Sequence, residues 1–237
     1  MSSRSPYDSP DSPLIERFND DRVGKLDQRQ LRTAAWLCVL FIMVEIGMLV
    51  MQFGSDTAAA QPGMLFASTL YTILVLHVLN VFRNWLNVRF DFRRANGAIG
   101  ALMVVNVALL LLELLWPQRA WEENNIAFVL ATLAASGVIQ INFGYRILQL
   151  DTAYPYLRTM GLTAVVSGIC LVSIILLLLA IVFGIASEIL MARVLFEAAD
   201  EVRRYHRARA VTEQAIEAAK EEPGKDADAS SSEEDSG

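Results

Sequence analysis

Between residues 34 and 187 the chain alternates long apolar runs with short polar connectors. The runs are Ala34–Phe53, Met64–Trp85, Ala98–Trp116, Ile126–Leu148 and Met160–Ser187. Each reaches the roughly 20 residues that a helix needs to cross about 30 Å of hydrocarbon. Helix is the predicted form, because an open strand would leave its amides unpaired in lipid. The connectors hold helix breakers: Gly54 to Gly63 around Pro62, Asn96-Gly97, Pro117 and Pro155. Trp36, Trp85 and Trp116 fall at predicted run ends and Trp121 in a connector, the depth that amphipathic rings prefer. The pattern predicts an all-α, polytopic transmembrane bundle of five apolar helices over residues 34–187.

The flanks are of another kind. Residues 1–33 form a polar arm. Its start, MSSRSPYDSPDSP, is broken by Ser-Pro steps, and Leu14, Ile15 and Phe18 then suggest a short interfacial helix. Residues 188–221 are predicted as a juxtamembrane amphipathic helix. There Met191, Leu195, Ala198, Val202 and Tyr205 recur at spacings of four and three, an apolar seam of two heptads. Residues 222–237 are acidic and too polar to pack, so disorder is expected.

Composition agrees with this layout. The chain is 54 % hydrophobic with a mean hydropathy of +0.38. Its net charge of −6 comes from the C-terminal tail, so no basic or acidic partner follows from it. Cys38 and Cys170 both lie in apolar runs and are expected to act as small hydrophobes. No cleavable leader is expected, and the first run reads as a retained signal anchor.

Orientation is harder. Short cytoplasmic loops collect lysine and arginine. With five crossings the N-terminal side holds eleven basic residues near the membrane and the other side six. This predicts a cytoplasmic N-terminus, but it sends EVRRYHRARA, with Arg203, Arg204, Arg207 and Arg209, to the outside. If Ile126–Leu148 does not cross, the balance becomes fourteen to three. That segment is the least apolar of the five, and five full crossings remain the expectation.

Several polar residues lie inside the runs. Glu45 and Gln52 share a face of the first run, and His77, Asn80 and Asn84 share a face of the second. Asn106 and Glu113 do so in the third, and Thr132, Ser136 and Gln140 in the fourth. Glu45 lies about 18 Å into its run, close to the midplane. An acidic group there costs around 2.5–3.5 kcal/mol, so it must be neutral, paired or hydrated. The favoured reading is a structural seam of Glu45, Gln52, His77, Asn80, Asn106 and Gln140. The sharper one is a proton relay in which Glu45 titrates and His77 is its partner.

No metal-ligand spacing, phosphate-binding glycine loop or nucleophile triad is present, so neither a cofactor nor an enzymatic role is expected. The arginine arm is nearly balanced by acids, which argues against nucleic acid. The leading functional expectation is a non-enzymatic bundle in the lipid bilayer that oligomerises or docks a protein through the Met191–Tyr205 seam. The alternative is a small proton-linked transporter or ion pathway on Glu45 and His77.

Overall fold

The computed structural model describes residues 22–54, 57–115, 126–150, 154–173 and 176–221. Among them are six α-helices and no strand: α1 Gln28–Gly54, α2 Thr57–Phe90, α3 Asn96–Leu115, α4 Ile126–Leu148, α5 Pro155–Ser173 and α6 Leu177–Glu221. Single turns of 3-10 helix at Val23–Lys25 and Arg93–Ala95 lead into α1 and α3. The all-α bundle holds. The expectations for residues 1–21 and 222–237, for Trp116 and Trp121, and for the side chain of Gln52 lie outside the described residues.

Among the described residues, five helices are long and apolar enough to cross a membrane, over Gln28–Met51, Pro62–Phe90, Arg93–Leu115, Pro155–Ser173 and Leu178–Ala218. These are not the five read from the sequence. The run Met160–Ser187 is divided, its first half in α5 and its second in α6. The amphipathic segment 188–221 is not a separate helix either, since α6 runs on for 45 residues. Ile126–Leu148 is a helix of 23 residues, about 34 Å long at 1.5 Å per residue.

The contacts fix the direction of each helix. Ser167 Oγ donates to the Ala180 carbonyl at 2.9 Å, and Ser187 Oγ to the Met160 carbonyl at 3.5 Å. One partner advances along the chain as the other retreats, so α5 and α6 are antiparallel. Gly137 lies against Gly168 and Gly144 against Gly161, which makes α4 and α5 antiparallel as well. Trp36 meets Phe196 edge-on at 5.3 Å, and Gly24 lies against Tyr205, so α6 also runs opposite to α1. Ser68, near the start of α2, donates to Glu113, near the end of α3. Each helix thus reverses the one before it. Each packs on its sequence neighbours, and α6 closes the ring on α1.

The polar–apolar pattern explains the layers. Outward faces carry Val39, Leu40 and Met43 on α1, Val104 and Leu111 on α3, and Leu178 and Val182 on α6. Inward faces carry Phe41, Val78, Phe82, Trp85, Ile99, Leu157, Val194 and Leu195. In hydrocarbon, burial of apolar groups does not itself favour association, so close packing and interhelical hydrogen bonds must hold the helices together. The α4–α5 pair shows the packing. A Cβ on Gly144 would stand 2.5 Å from the Gly161 carbonyl oxygen, and one on Gly168 would stand 2.6 Å from the Gly137 oxygen. The four glycines recur at intervals of seven on each helix and let the backbones touch.

Both described chain ends lie at one end of the bundle. The loops after α2 and α4 lie there too, together with every described lysine and arginine. This is called the arginine end below, and the opposite one the far end.

Glycine substitution tests the close approach. Gly144→Ala or Gly168→Ala should destabilise by about 1–3 kcal/mol, the range for overpacking a tight contact. Gly47→Ala and Gly100→Ala should be neutral or slightly stabilising, because nothing lies within 4 Å of a Cβ there. Thermal unfolding of the four variants in one detergent makes the comparison.

Candidate functional site

On α1, Leu31, Cys38 and Glu45 are seven residues apart and share one face. On α6 the same spacing relates Glu188, Leu195 and Val202. Antiparallel packing of these two faces places Glu45 opposite Glu188, with the two carboxyl groups close enough to interact. Tyr71 of α2 donates its hydroxyl to Glu188 Oε1 at 3.4 Å. Phe41 holds the Tyr71 ring edge-on at 5.8 Å. The Cys38 thiol donates to the Glu188 carbonyl at 3.3 Å. Glu45 Oε2 and Glu188 Oε2 are buried with no hydrogen-bond partner among the described residues.

The pair is deep. Glu45 lies about 14 Å from the far end of α1, and Glu188 about 17 Å from the far end of α6. Both therefore lie well inside the apolar part of the bundle, and Glu188 is about level with Met160, five residues into α5. A carboxylate has only acceptors, so two facing carboxyl groups can hydrogen-bond to each other only with a proton on one of them. The arrangement can take up or release that proton and has the Tyr71 hydroxyl beside it.

A second polar cluster closes the arginine end. Arg89 of α2 and Glu201 of α6 form an ion pair at 3.0 Å, with side chains only 10 % and 15 % exposed. Tyr154 donates its hydroxyl to the same carboxylate. Burial pushes the Tyr154 phenol well above its ordinary pKa, and the charge of Glu201 adds to the shift. Below the pair, Trp85, Phe90 and Tyr154 meet one another edge-on at 5.3 to 6.0 Å. The cluster joins the loops after α2 and α4 to the long helix α6.

The expected polar seam is not one seam. Glu45 is inward, but His77 is not its partner: His77 and Asn80 are exposed on the outward face of α2. The Asn106 amide donates to the Leu102 carbonyl of its own helix at 2.9 Å. Gln140 accepts from Ser167 at 3.4 Å and ties α4 to α5. The reason is helical phase. Tyr71 and His77 are six residues apart, about 240° around α2, so they cannot share a face.

The residues of the Met191–Tyr205 seam are only 0–8 % exposed and pack inside this chain. Gly24, α1 and α5 already occupy it, so it is no open docking surface. Arg203, Arg204 and Arg207 are exposed on α6, and Arg209 pairs with Glu213 at 2.8 Å. Glu188 was the partner missed in the sequence. It stands three residues before Met191 and seven before Leu195, so the heptad extended backward by one step names it.

The chain matches no known protein family, no curated protein and no solved structure.

Removing one member of the arginine-end pair strands the other. Arg89→Ala or Glu201→Ala should cost about 3–5 kcal/mol, as is usual for breaking a buried pair. Arg89→Met with Glu201→Leu should recover most of that loss, since no charge is then left unpaired. Unfolding free energies of the three variants check both statements.

Proposed function

We propose that this is an integral membrane protein in which the Glu45–Glu188 pair is a proton-binding site within a small proton-linked pathway. The observation that carries the reading is two carboxyl groups facing each other well inside the apolar part of the bundle, with the Tyr71 hydroxyl donating to one of them. An ionisable group at this depth is costly and is the expected mark of an ion or proton route. The two unpartnered carboxyl oxygens favour the same reading, because a purely structural clasp gains by satisfying every polar atom.

In this reading all six helices cross the membrane. By chain order, nineteen of the twenty lysines and arginines then belong to one side, and Arg119 alone to the other. The rule that positive residues stay inside places the arginine end, with both chain ends, in the cytoplasm. EVRRYHRARA is then cytoplasmic, and the conflict between charge bias and crossing number disappears.

Two measurements test this. Compartment reporters fused at the two chain ends should give the same cytoplasmic answer, and a cysteine at Arg119 should be labelled from outside only. Opposite answers at the two ends would mean an odd number of crossings and would rule out this arrangement.

For the site, purified protein in vesicles should dissipate an imposed pH gradient. Glu45→Gln and Glu188→Gln should each abolish that flux, and Tyr71→Phe should slow it. Infrared spectra should show a protonated carboxyl band that is lost in either Gln variant. If wild-type vesicles carry no flux at any pH while the Gln variants only lose stability, the pair is a structural clasp and the pathway reading fails.

A further inference from the structure

We propose that in this conformation the Glu45–Glu188 pair exchanges protons with the far side of the membrane, through Tyr71, Ser68 and Glu113. The inference rests on the proton-pathway reading above and deepens it, by naming the side and the groups through which the site is reached.

The two halves of the core differ in chemistry. From the pair toward the arginine end, the inward faces are apolar and closed. On α2 they carry Val75, Val78 and Phe82, and on α6 Val194, Leu195 and Ala198, all 0–7 % exposed. These side chains lie along an interval of about 20 Å between Glu188 and Glu201. Hydrocarbon groups carry no proton, so this half insulates the pair from the arginine end. The Cys38 thiol beside the pair is committed to the Glu188 carbonyl.

The other half is open and polar. Among the described residues, α1 after Ile42, α2 before Thr72 and α3 after Ile99 hold no buried side chain. Ser68 lies three residues before Tyr71 on α2, a spacing at which side chains are neighbours about 5–6 Å apart. A helical side chain leans toward the N-terminus of its own helix, so the Tyr71 ring extends over the turn that holds Ser68. Ser68 in turn donates its hydroxyl to Glu113 of α3. Glu113 stands two residues before the end of α3, at the far end of the bundle. No described lysine or arginine stands at that end, so among the described residues Glu113 is bonded to a hydroxyl and not clasped by a cation. Glu45, Ser68, Tyr71 and Glu113 are each half-buried, within reach of a molecule the size of water.

For uptake, Glu113 is protonated by far-side water. It passes that proton, through the Ser68 hydroxyl and a water beside it, to the Tyr71 hydroxyl. Tyr71 gives its own proton to the Glu188 carboxylate and is restored by the incoming one. The Ser68 hydroxyl rotates to serve both directions. Every carrier ends with the protons it began with, and one proton has moved from the far side to the pair. Release reverses the same steps. Delivery to the arginine end requires a second conformation of the bundle.

The test is made on the full chain in vesicles, with Cys38→Ser and Cys170→Ser as background for labelling. Ser68→Cys should react with a membrane-impermeant maleimide added on the far side, and not from the arginine side. Val75→Cys, seven residues on along the same inward face, should react from neither. With the native cysteines in place, Glu113→Gln should slow proton flux by about tenfold or more, and Glu113→Asp should restore most of it. A purely structural Ser68–Glu113 bond predicts no such loss, because glutamine keeps an acceptor for the Ser68 hydroxyl. Labelling at Ser68→Cys decides the matter if the glutamine variant does not fold. An unreactive Ser68→Cys, or one labelled from the arginine side, overturns the inference. So does Glu113→Gln with wild-type flux. Either result leaves the proton site standing. Wild-type vesicles with no flux at any pH overturn the site itself, and this inference with it.

Discussion

The chain reverses inside an uninterrupted apolar stretch, between Ser173 and Leu177, and the rest of the bundle depends on that reversal. It sends α6 back alongside α5, with the Ser167 and Ser187 hydroxyls bonded to carbonyls of the facing helix. Because α6 returns, its apolar seam meets α1 and the turn before it, and Tyr205 packs on Gly24. The same return carries Glu188 to Glu45 and Glu201 to Arg89. Had the run crossed once and stopped, both acids of α6 would have needed other partners. In lipid, where burial of apolar surface gives no net drive, such pairings weigh more than they would in a soluble core.

Much of this was legible in the sequence, and the reasons for the rest are specific. Helix type and most boundaries follow from run length and breakers. Glu45 was visible as a deep acid that must be paired. The reversal was not visible, because SIILLLLA around it contains no proline, glycine or charge. One indirect signal existed. Five crossings put the arginines after Ser187 on the less basic side, and one more crossing would return them to the other. Dividing the last run repairs the balance better than removing Ile126–Leu148 does. The low hydropathy of that segment has another cause: Gly137, Gly144 and Gln140 are spent on contact with α5.

Helical phase explains which polar residues were assigned correctly. Spacing within a run says which residues share a face, but not which way the face points. His77, Asn80 and Asn84 share a face that turns outward. Leu31, Cys38 and Glu45 share one that turns inward. The difference lies in the neighbours of each stripe. The α1 stripe continues into Leu31 and Ala34 at its arginine end, which α6 covers, while the α2 stripe is diametrically opposed to Phe82 and Leu86. A wheel that included the large buried aromatics of α2 would have separated the two.

The long helix α6 links two polar contacts of different character. Glu188 faces a second carboxyl, Glu45, whereas Glu201 faces the Arg89 guanidinium. They are thirteen residues apart, about 20 Å along one continuous helix. The first contact needs a proton to form and the second does not, so a change at Glu45 alters one without touching the charges of the other. Yet a helix cannot slide by a turn at one point alone. Any motion of α6 that separated the carboxyl pair would also load the Arg89–Glu201–Tyr154 cluster, whose aromatic floor of Trp85 and Phe90 packs edge-on against Tyr154. Rigid helices between packed contacts are bistable rather than continuously deformable. The arginine-end cluster therefore limits how far the far half of α6 can respond, and it favours small rotations near Glu188 over translation of the whole helix.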